Sequence, residues 1–177
     1  MKRFLVILLV LTLFSGVDCH SQSREEKKAM KVAAVKEKLN SGIFKIDITH
    51  IIPANMPMRS TYSSYYLEFK KDTFTCYLPY IGTATTAMIG GQNLSIESEN
   101  QKVDIRKSYN EKEKYTDYLF NFINSSMKEK WQCSMFIYDT GECRLRMDNA
   151  GRQSIAYDGD IYFESVPKKK KEKKEKH

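Results

Sequence analysis

Residue types that could carry out chemistry are sparse in this chain of 177 residues. Three histidines are present, and two of them, His20 and His177, lie near the chain ends. The third, His50, falls on the inward parity of a predicted strand, as does Cys76, so a thiol–imidazole dyad is conceivable. Inward cysteines on apolar faces act mostly as small hydrophobes, and an inward histidine is more often a satisfied core group. We therefore predict packing roles for both residues.

Other reaction classes lack a motif in the sequence. There is no phosphate-binding loop, no zinc-binding helix motif and no GxSxG elbow. Carboxylates are numerous, but no pair stands out by its placement as a glycosidase pair would. No CxxC motif and no Cys/His cluster suggests a metal site. We predict that the protein is not an enzyme and that it has no catalytic residue, metal or cofactor.

Tyrosine-rich surface is the remaining candidate for function. Tyrosine offers a flat apolar body with a polar tip, although its frequent use in strands is the simpler explanation. The stretch from Phe74 to Ile96 combines a rigid proline, several glycines and two tyrosines that strand parity leaves exposed. We predict a ligand-binding site there, at the mouth of a barrel. Its residues are Tyr77, Pro79, Tyr80, Gly82, Gly90 and Gly91, with Tyr157 from a later strand and with Tyr66 and Tyr162 as further candidates.

The N-terminus has the order of a secretory signal peptide. Lys2 and Arg3 precede an apolar run from Phe4 to Phe14, and small residues follow. The run is shorter than the roughly 20 residues that cross a membrane. We predict export, with residues 1–19 removed. Acylation of Cys19 would instead tether the protein to a membrane, but Asp18 occupies the preceding position, where small residues are required.

The positive charge of the chain lies at its ends. The tail from Lys168 to His177 carries seven lysines and two glutamates, which accounts for most of the formal net charge of +7. The region between the leader and the tail is nearly neutral, so we predict no nucleic-acid-binding face. A lysine-rich tail is usually a disordered appendage, and contact with anionic lipid or polysaccharide is its alternative role.

One helix is predicted ahead of the strands. Ser23 and Glu26 have the spacing of a capping box, and Gly42 can take the left-handed conformation that ends a helix. We predict a helix from about residue 24 to 40, with a narrow apolar stripe formed by Ala29, Val32, Ala33 and Leu39. Such a stripe would pack against a sheet or close the end of a barrel.

Alternating apolar residues then predict a series of antiparallel strands. The first runs from Ile43 through His50. In the next hairpin, Phe69 lies opposite Phe74 and Leu67 opposite Cys76, so that the apolar partners share one face. Ile96 and Leu94 are predicted to face Ile105 and Lys107 across a turn near Asn100. Tyr118, Phe120 and Phe122 form a further inward row.

A three-residue loop at Asp139 to Gly141 gives the best register for the hairpin from Trp131 to Met147. Ile137 then lies opposite Cys143, and Met135 opposite Leu145. This register places Cys133 roughly 13 Å from the position opposite Cys143. A disulfide allows Cα separations of only about 4.4–6.8 Å, so these two cysteines cannot be bridged. Residues 154–163 form either two short strands or one strand with a bulge.

The fold class that follows is mainly β with one N-terminal helix. The strands form an antiparallel meander, which fits a lipocalin-like barrel, a strongly curved sheet or a sandwich. We expect one domain over residues 24–166 and a disordered tail over residues 168–177.

Two segments resemble a known family. Residues 77–84 with Gly90, Gly91 and the strand at 94–96, together with residues 154–161, are similar to motifs of domain of unknown function family 4251. The resemblance covers roughly residues 27–163. It implies an exported envelope protein of Bacteroidetes-type bacteria with a mostly antiparallel β fold and no established activity. Family members often have an aromatic residue where Ile81 stands and a basic residue where Thr83 stands.

Two functions are open at this point. The first is a periplasmic or outer-membrane-associated domain that binds a small apolar or glycan-like ligand at the barrel mouth. The second is a structural or protein-interaction module of the envelope that uses the same rim; a hydrolase is a distant third. We expect a monomer in either case. An enclosed aromatic cavity would favour a ligand, whereas a filled interior with an exposed apolar patch would favour a protein partner.

Overall fold

The computed structural model describes residues 22–62, 64–83 and 95–164, with side chains from residue 24 onward. The leader with Cys19, the tail, and Gly90 and Gly91 lie outside the described residues. Predictions about those segments stay predictions.

Helix α1 spans Gln22–Ser41, within two residues of the predicted bounds at each end. Gly42 follows it with φ of +69°, which confirms the expected left-handed end. The predicted apolar stripe is partly wrong, because Ala29 and Ala33 are exposed. Only the C-terminal half of the helix packs on the sheet, so the buried face is set by Val35 and Leu39, which are four residues apart.

Ten strands follow the helix, and they are listed here in chain order. They are β1 (Ile43–Pro53), β2 (Arg59–Ser60), β3 (Tyr66–Lys70), β4 (Thr73–Leu78), β5 (Ile96–Lys102), β6 (Arg106–Asn110), β7 (Tyr115–Ile123), β8 (Lys130–Tyr138), β9 (Glu142–Asn149) and β10 (Arg152–Ile161).

All these strands belong to one antiparallel sheet with the order β5-β4-β3-β1-β10-β9-β8-β7-β6, and β2 pairs with β1 off this path. The sheet curls into a half-barrel whose concave inner face holds the core. The prediction of a mainly β fold with one N-terminal helix is therefore confirmed, with the strongly curved sheet as its form.

The predicted hairpin between Ile96 and Lys107 is wrong. β5 pairs with β4, where Ile96 lies opposite Leu78, and β6 pairs with β7. The three residues between β5 and β6 carry the chain from one end of the sheet path to the other without reversing it. Asn100, predicted near a turn, instead has φ of 44° beside an irregularity in the β4–β5 ladder.

Side chains join β5 to the end of β7 along a line that we call the seam. Asn124 is fully buried there; its Nδ2 donates to Ser95 O at 3.4 Å and its Oδ1 accepts from the amide of Glu97 at 3.4 Å. Gln101 Oε1 accepts from the Ile123 amide at 2.9 Å. The seam thus holds the two ends of the curled sheet near each other.

The registers of the two local hairpins are confirmed. Phe69 pairs with Phe74 and Leu67 with Cys76 in the β3–β4 hairpin. Ile137 pairs with Cys143 and Met135 with Leu145 in the β8–β9 hairpin. Gly141 has φ of +92°, and all three described cysteines are free, as the predicted register requires. The inward row of Tyr118, Phe120 and Phe122 is also buried.

The inward placement predicted for His50 is wrong. The β1–β10 register shifts between Ile48 and His50, and after this bulge Ile51 takes the buried position. One extra residue reverses the parity of a strand, so His50 faces outward. β10 is a single strand with a register shift between Arg152 and Ile155, which decides between the two predicted alternatives.

Aromatic rings fill the inner face of the half-barrel. Phe74 lies 4.9 Å from Phe120, 5.0 Å from Phe122 and 5.1 Å from Phe69, measured between ring centroids. These contacts cross the interior from β4 to β7. Space that a lipocalin-like barrel would offer to a ligand is occupied by side chains in this part of the molecule.

Candidate functional site

The predicted site residues divide between the two faces of the sheet. Tyr77 is 40% exposed and faces outward from β4. Tyr80 and Tyr157 are buried on the inner face. Tyr80 was expected to be exposed, but after Pro79 its ring packs 5.9 Å from the ring of Trp131. Whether these residues bind a ligand stays a prediction.

Five inner-face residues form what we call the mouth cluster: Tyr80, Glu129, Trp131, Arg152 and Tyr157. The β8–β9 turn lies against α1, where an added Cβ on Gly141 would meet Val35 at 3.3 Å. Trp131 stands at the other end of β8, so the mouth cluster and α1 occupy opposite ends of the half-barrel.

The hydroxyl groups of the mouth cluster are used within the protein. Tyr157 Oη donates to the carbonyl of Pro79 at 2.7 Å. Tyr80 Oη lies 3.1 Å from the carbonyl of Gln153 and 3.2 Å from that of Thr83. The two tyrosines therefore fasten residues 79–83 to β10, which is a structural use of residues that the sequence placed in a ligand site.

Gly82 is required by the close approach of Tyr80. A Cβ at position 82 would lie 2.6 Å from Tyr80 Oη and 2.9 Å from Tyr80 Cζ. No side chain fits there without moving the ring. Glycine lets the backbone fold directly over Tyr80, as expected where two groups approach more closely than a side chain allows.

Burial controls the acidity of the two mouth tyrosines. It raises the pKa of Tyr157 well above its ordinary value. Burial also raises the pKa of Tyr80, and the nearby guanidinium of Arg152 partly offsets this effect. Both hydroxyls therefore stay protonated and available as donors at neutral pH.

Arg152 is a functional candidate that the sequence analysis did not find. Its guanidinium carbon lies 4.9 Å from the centroid of the Tyr80 ring and 5.9 Å from that of Trp131. Its Nε pairs with Glu129 at 2.9 Å. The register shift in β10 directs this arginine inward, and no spacing rule in the sequence marks that shift.

A second candidate lies on the outer face of β3, β4 and β5. We call it the tyrosine cleft: an open depression of about 560 Å³ lined by Tyr66, Glu68, Tyr77, Glu97, Glu99 and neighbouring polar residues. Tyr77 pairs across the sheet with Tyr66 on one side and with Glu97 on the other. Its ring lies 5.5 Å from that of Tyr65, which holds it upright beside the cleft.

The charge of the tyrosine cleft is negative. Glu68 is neutralised by Lys70 at 2.9 Å, whereas the Glu97 carboxylate accepts hydrogen bonds from the hydroxyls of Ser95 and Ser126. Lys45 lies 4.8 Å from the Tyr66 ring and 5.1 Å from the Tyr162 ring at the edge of this region. The lining thus combines flat aromatic surface with fixed acceptors.

Catalytic and metal chemistry find little support among the described residues. They contain no group of three or more His, Cys, Asp or Glu side chains that could hold a metal ion. Burial raises the pKa of the Cys76 thiol, and His50 faces the other side of the sheet, where its Nδ1 lies 3.0 Å from Thr49 Oγ1. The hypothetical dyad is therefore not assembled. Among the described residues, no helix combines the length and the apolar character needed to cross a membrane.

Comparisons with known proteins give a family and a fold. The model of the family described as Domain of unknown function (DUF4251) matches residues 26–161. A crystal structure of a DUF4251 family protein from Bacteroides eggerthii DSM 20697 is similar with a TM-score of 0.53 and 12% identity, over 77% of this chain and 89% of that one. No curated protein matches the sequence.

Proposed function

This chain belongs to the DUF4251 family of domains of unknown function, and from that premise we propose that it is an exported, non-enzymatic binding domain of the cell envelope. Its ligand is a glycan-like molecule that lies in the tyrosine cleft. Export rests on the signal-peptide pattern of residues 1–19, and a binding role is supported by the exposed aromatic surface of the tyrosine cleft.

The observation that carries this proposal is the placement of Tyr77. It keeps 40% of its surface exposed although its strand neighbours Cys76 and Leu78 are buried. Because side chains fill the inner face, we expect the ligand to bind on the outer surface, where Tyr77 lies. An exposed aromatic ring in a concave region is a common feature of binding sites.

The lining of the cleft favours a polyhydroxylated ligand over an apolar one. A sugar ring has an apolar face that can stack on Tyr77, and its hydroxyls can donate to carboxylates such as Glu97. The negative charge disfavours phosphorylated or otherwise anionic ligands. Neutral or amino sugars are therefore the expected class.

The test is a glycan-binding screen with the mature chain, followed by titration of any hit against Tyr77→Ala. Loss of the aromatic face should weaken binding by about tenfold or more. Tyr138→Ala is the matched control, since Tyr138 is 38% exposed and lies 5.7 Å from the Tyr115 ring. If both variants bind equally well, the cleft is not the site.

A protein-interaction module is the second candidate, and the filled interior together with an exposed apolar segment favours it. Met56, Met58 and Tyr62 are exposed in the segment between β1 and β3, beside the short strand β2. Methionine-rich surface adapts readily to protein partners. Cross-linking in intact cells, followed by comparison of Met58→Ser with Tyr77→Ala, separates the two functions. A partner lost only with Met58→Ser favours the interaction module.

A further inference from the structure

Arg152 is a charged side chain held out of water at the mouth of the half-barrel. Its side chain has 0% exposure, and its guanidinium is packed against the rings of Tyr80 and Trp131. Arginine is rarely buried so completely unless its donors are paired. We therefore ask which groups of the mouth cluster accept hydrogen bonds from the buried guanidinium of Arg152.

The described residues satisfy only part of this demand. Nε bonds to Glu129 Oε1 at 3.1 Å and lies 2.9 Å from Glu129 Oε2. Nη1, Nη2, the nearby Trp131 Nε1 and the acceptor Glu129 Oε2 have no hydrogen-bond partner in the described part of the chain. Tyr80 Oη donates to backbone carbonyls, and no hydrogen bond from the arginine to this hydroxyl is present among the described residues. Three nitrogen atoms with N–H bonds thus remain without acceptors in one small region, which native proteins avoid unless water or a ligand supplies them.

We infer that the terminal nitrogens of Arg152 form a binding site for the carboxylate group of a small ligand. Nη1 and Nη2 together present the parallel fork that a carboxylate accepts in bidentate fashion. The Tyr80 and Trp131 rings supply flat walls that suit a planar group. The indole N–H of Trp131 offers a further donor in the same cluster.

Glu129 sets the balance of charge beside the proposed site. It pairs with Nε and leaves the fork free, so that Arg152 can bridge two carboxylates. Its side chain keeps 28% exposure, so this residue lies on the solvent side of the buried guanidinium. That exposure also screens the repulsion between Glu129 and a bound anion. This site is separate from the tyrosine cleft, on the other face of the sheet.

Trp131 gives a direct readout, because it is the single tryptophan of the chain. Sodium acetate added to the mature protein, with sodium chloride at matched ionic strength as the reference, should change Trp131 emission in a saturable manner. Sodium phosphate is the second probe. A response to phosphate without one to acetate would overturn the carboxylate assignment, as would equal responses to acetate and chloride.

Two variants keep the test decisive. Arg152→Lys retains the charge but loses the fork, and it should weaken acetate binding by about tenfold or more. Arg144→Lys is the matched control, because Arg144 makes a comparable two-nitrogen contact with Asp158 on the outer face. It should leave acetate binding unchanged.

Glu129→Gln serves if Arg152→Lys does not fold. Removing the neighbouring negative charge should strengthen acetate binding several-fold, a change that a merely structural role of Glu129 would not produce. Unchanged or weaker acetate binding in this variant would contradict the proposal. So would a crystal structure grown in acetate with only water at Nη1 and Nη2.

Discussion

Cys76, Cys133 and Cys143 are free thiols enclosed by apolar side chains on the inner face. Burial raises the pKa of each thiol well above its usual range, because the thiolate would lose its hydration. The thiols therefore stay protonated in the folded protein. In the unfolded chain they ionise near pH 8.5.

This difference predicts a loss of stability in alkaline solution. Above about pH 8.5 the folded state binds more protons than the unfolded state, so the free energy of unfolding falls as pH rises. Each thiol contributes up to about 1.4 kcal/mol per pH unit in that range. Urea unfolding of the chain without residues 1–19, at several pH values from about 7.5 to 9.5, measures this slope.

Cys143→Ala provides the control for this prediction. It should reduce the alkaline slope by about one third, whatever it does to stability at neutral pH. A slope that does not change in the variant would mean that other groups cause the alkaline loss. Thiol reagents should label the three cysteines only after unfolding.

Some positions of individual residues could be predicted from the sequence, and others could not. The absence of a Cys133–Cys143 bridge was predictable, since hairpin register alone fixes that distance. The inward turns of Tyr80 and Arg152 were not, because they follow from the chain path after Pro79 and from a register shift in β10. Such local shifts reverse parity without a distinct composition.

Helix α1 is held to the sheet by its last two turns. Val35 and Leu39 are buried in the core, and Lys107 Nζ donates to the carbonyl of Leu39 at 2.8 Å. Lys36 adds an ion pair with Asp139 at 3.1 Å. These contacts close the end of the half-barrel that lies opposite the mouth cluster.

Leu39→Ala should therefore destabilise the whole domain by about 2–4 kcal/mol, since it opens a cavity under the helix. Met30→Ala on the same helix is the control, because Met30 is 71% exposed and its loss should cost less than about 0.5 kcal/mol. Urea midpoints of the two variants measure the difference. Equal midpoints would show that the helix contributes little to stability.

The seam is held by the Asn124 side chain and by a backbone bond from the Ser125 amide to the Glu97 carbonyl at 2.7 Å. The Asn124 side chain bonds the backbone of Ser95 and Glu97 in β5 and its flank, and its Oδ1 also accepts from the Ser126 amide at 3.1 Å. Removing it leaves buried backbone groups without partners.

Asn124→Ala should cost about 1–3 kcal/mol and speed hydrogen exchange of the β5 amides. Asn121→Ala, at an exposed position in β7, should change neither quantity. Loss of exchange protection spread evenly over the sheet, rather than concentrated in β5, would argue against a local role for Asn124 at the seam.

Elements joined by short turns were predictable, and the closure of the sheet was not. The β3–β4 and β8–β9 hairpins follow from alternating apolar residues and from the left-handed position of Gly141, which are local signals. The path from β5 to β6 depends on the pairing of β5 with β4 rather than with β6, which pairs instead with the strand that follows it. An apolar pattern at Ile96 and Ile105 is compatible with a hairpin and with a continuing chain, so the sequence alone could not choose.

At the scale of the whole molecule, the aromatic interior limits where the proposed ligand could lie. Rings from β3, β4 and β7 meet across the half-barrel, with Phe69 and Phe120 edge to face at 5.2 Å. These ring contacts stabilise the sheet, and they occupy the space that a ligand cavity would need. The two proposed binding sites accordingly lie on the outer face and at the mouth cluster.

The folded protein should accordingly take up no small apolar probe, whereas Phe74→Ala should create a site for one. Phe74 contacts Phe69, Phe120 and Phe122, so its removal leaves an apolar cavity and costs about 3–5 kcal/mol. Such a cavity stays dry and can bind benzene. Calorimetric titration with benzene should therefore give heat only with the variant.

Phe136→Ala is the control, because it removes an aromatic ring that does not belong to the packed interior. Phe136 is half-buried on the outer face of β8 and packs 5.1 Å from Tyr115, so its removal opens no enclosed space. It should bind no benzene and should lose less stability than Phe74→Ala. Benzene binding by the unaltered protein would show that the interior already has room for a ligand. The interior of the half-barrel would then replace the tyrosine cleft as the expected ligand site.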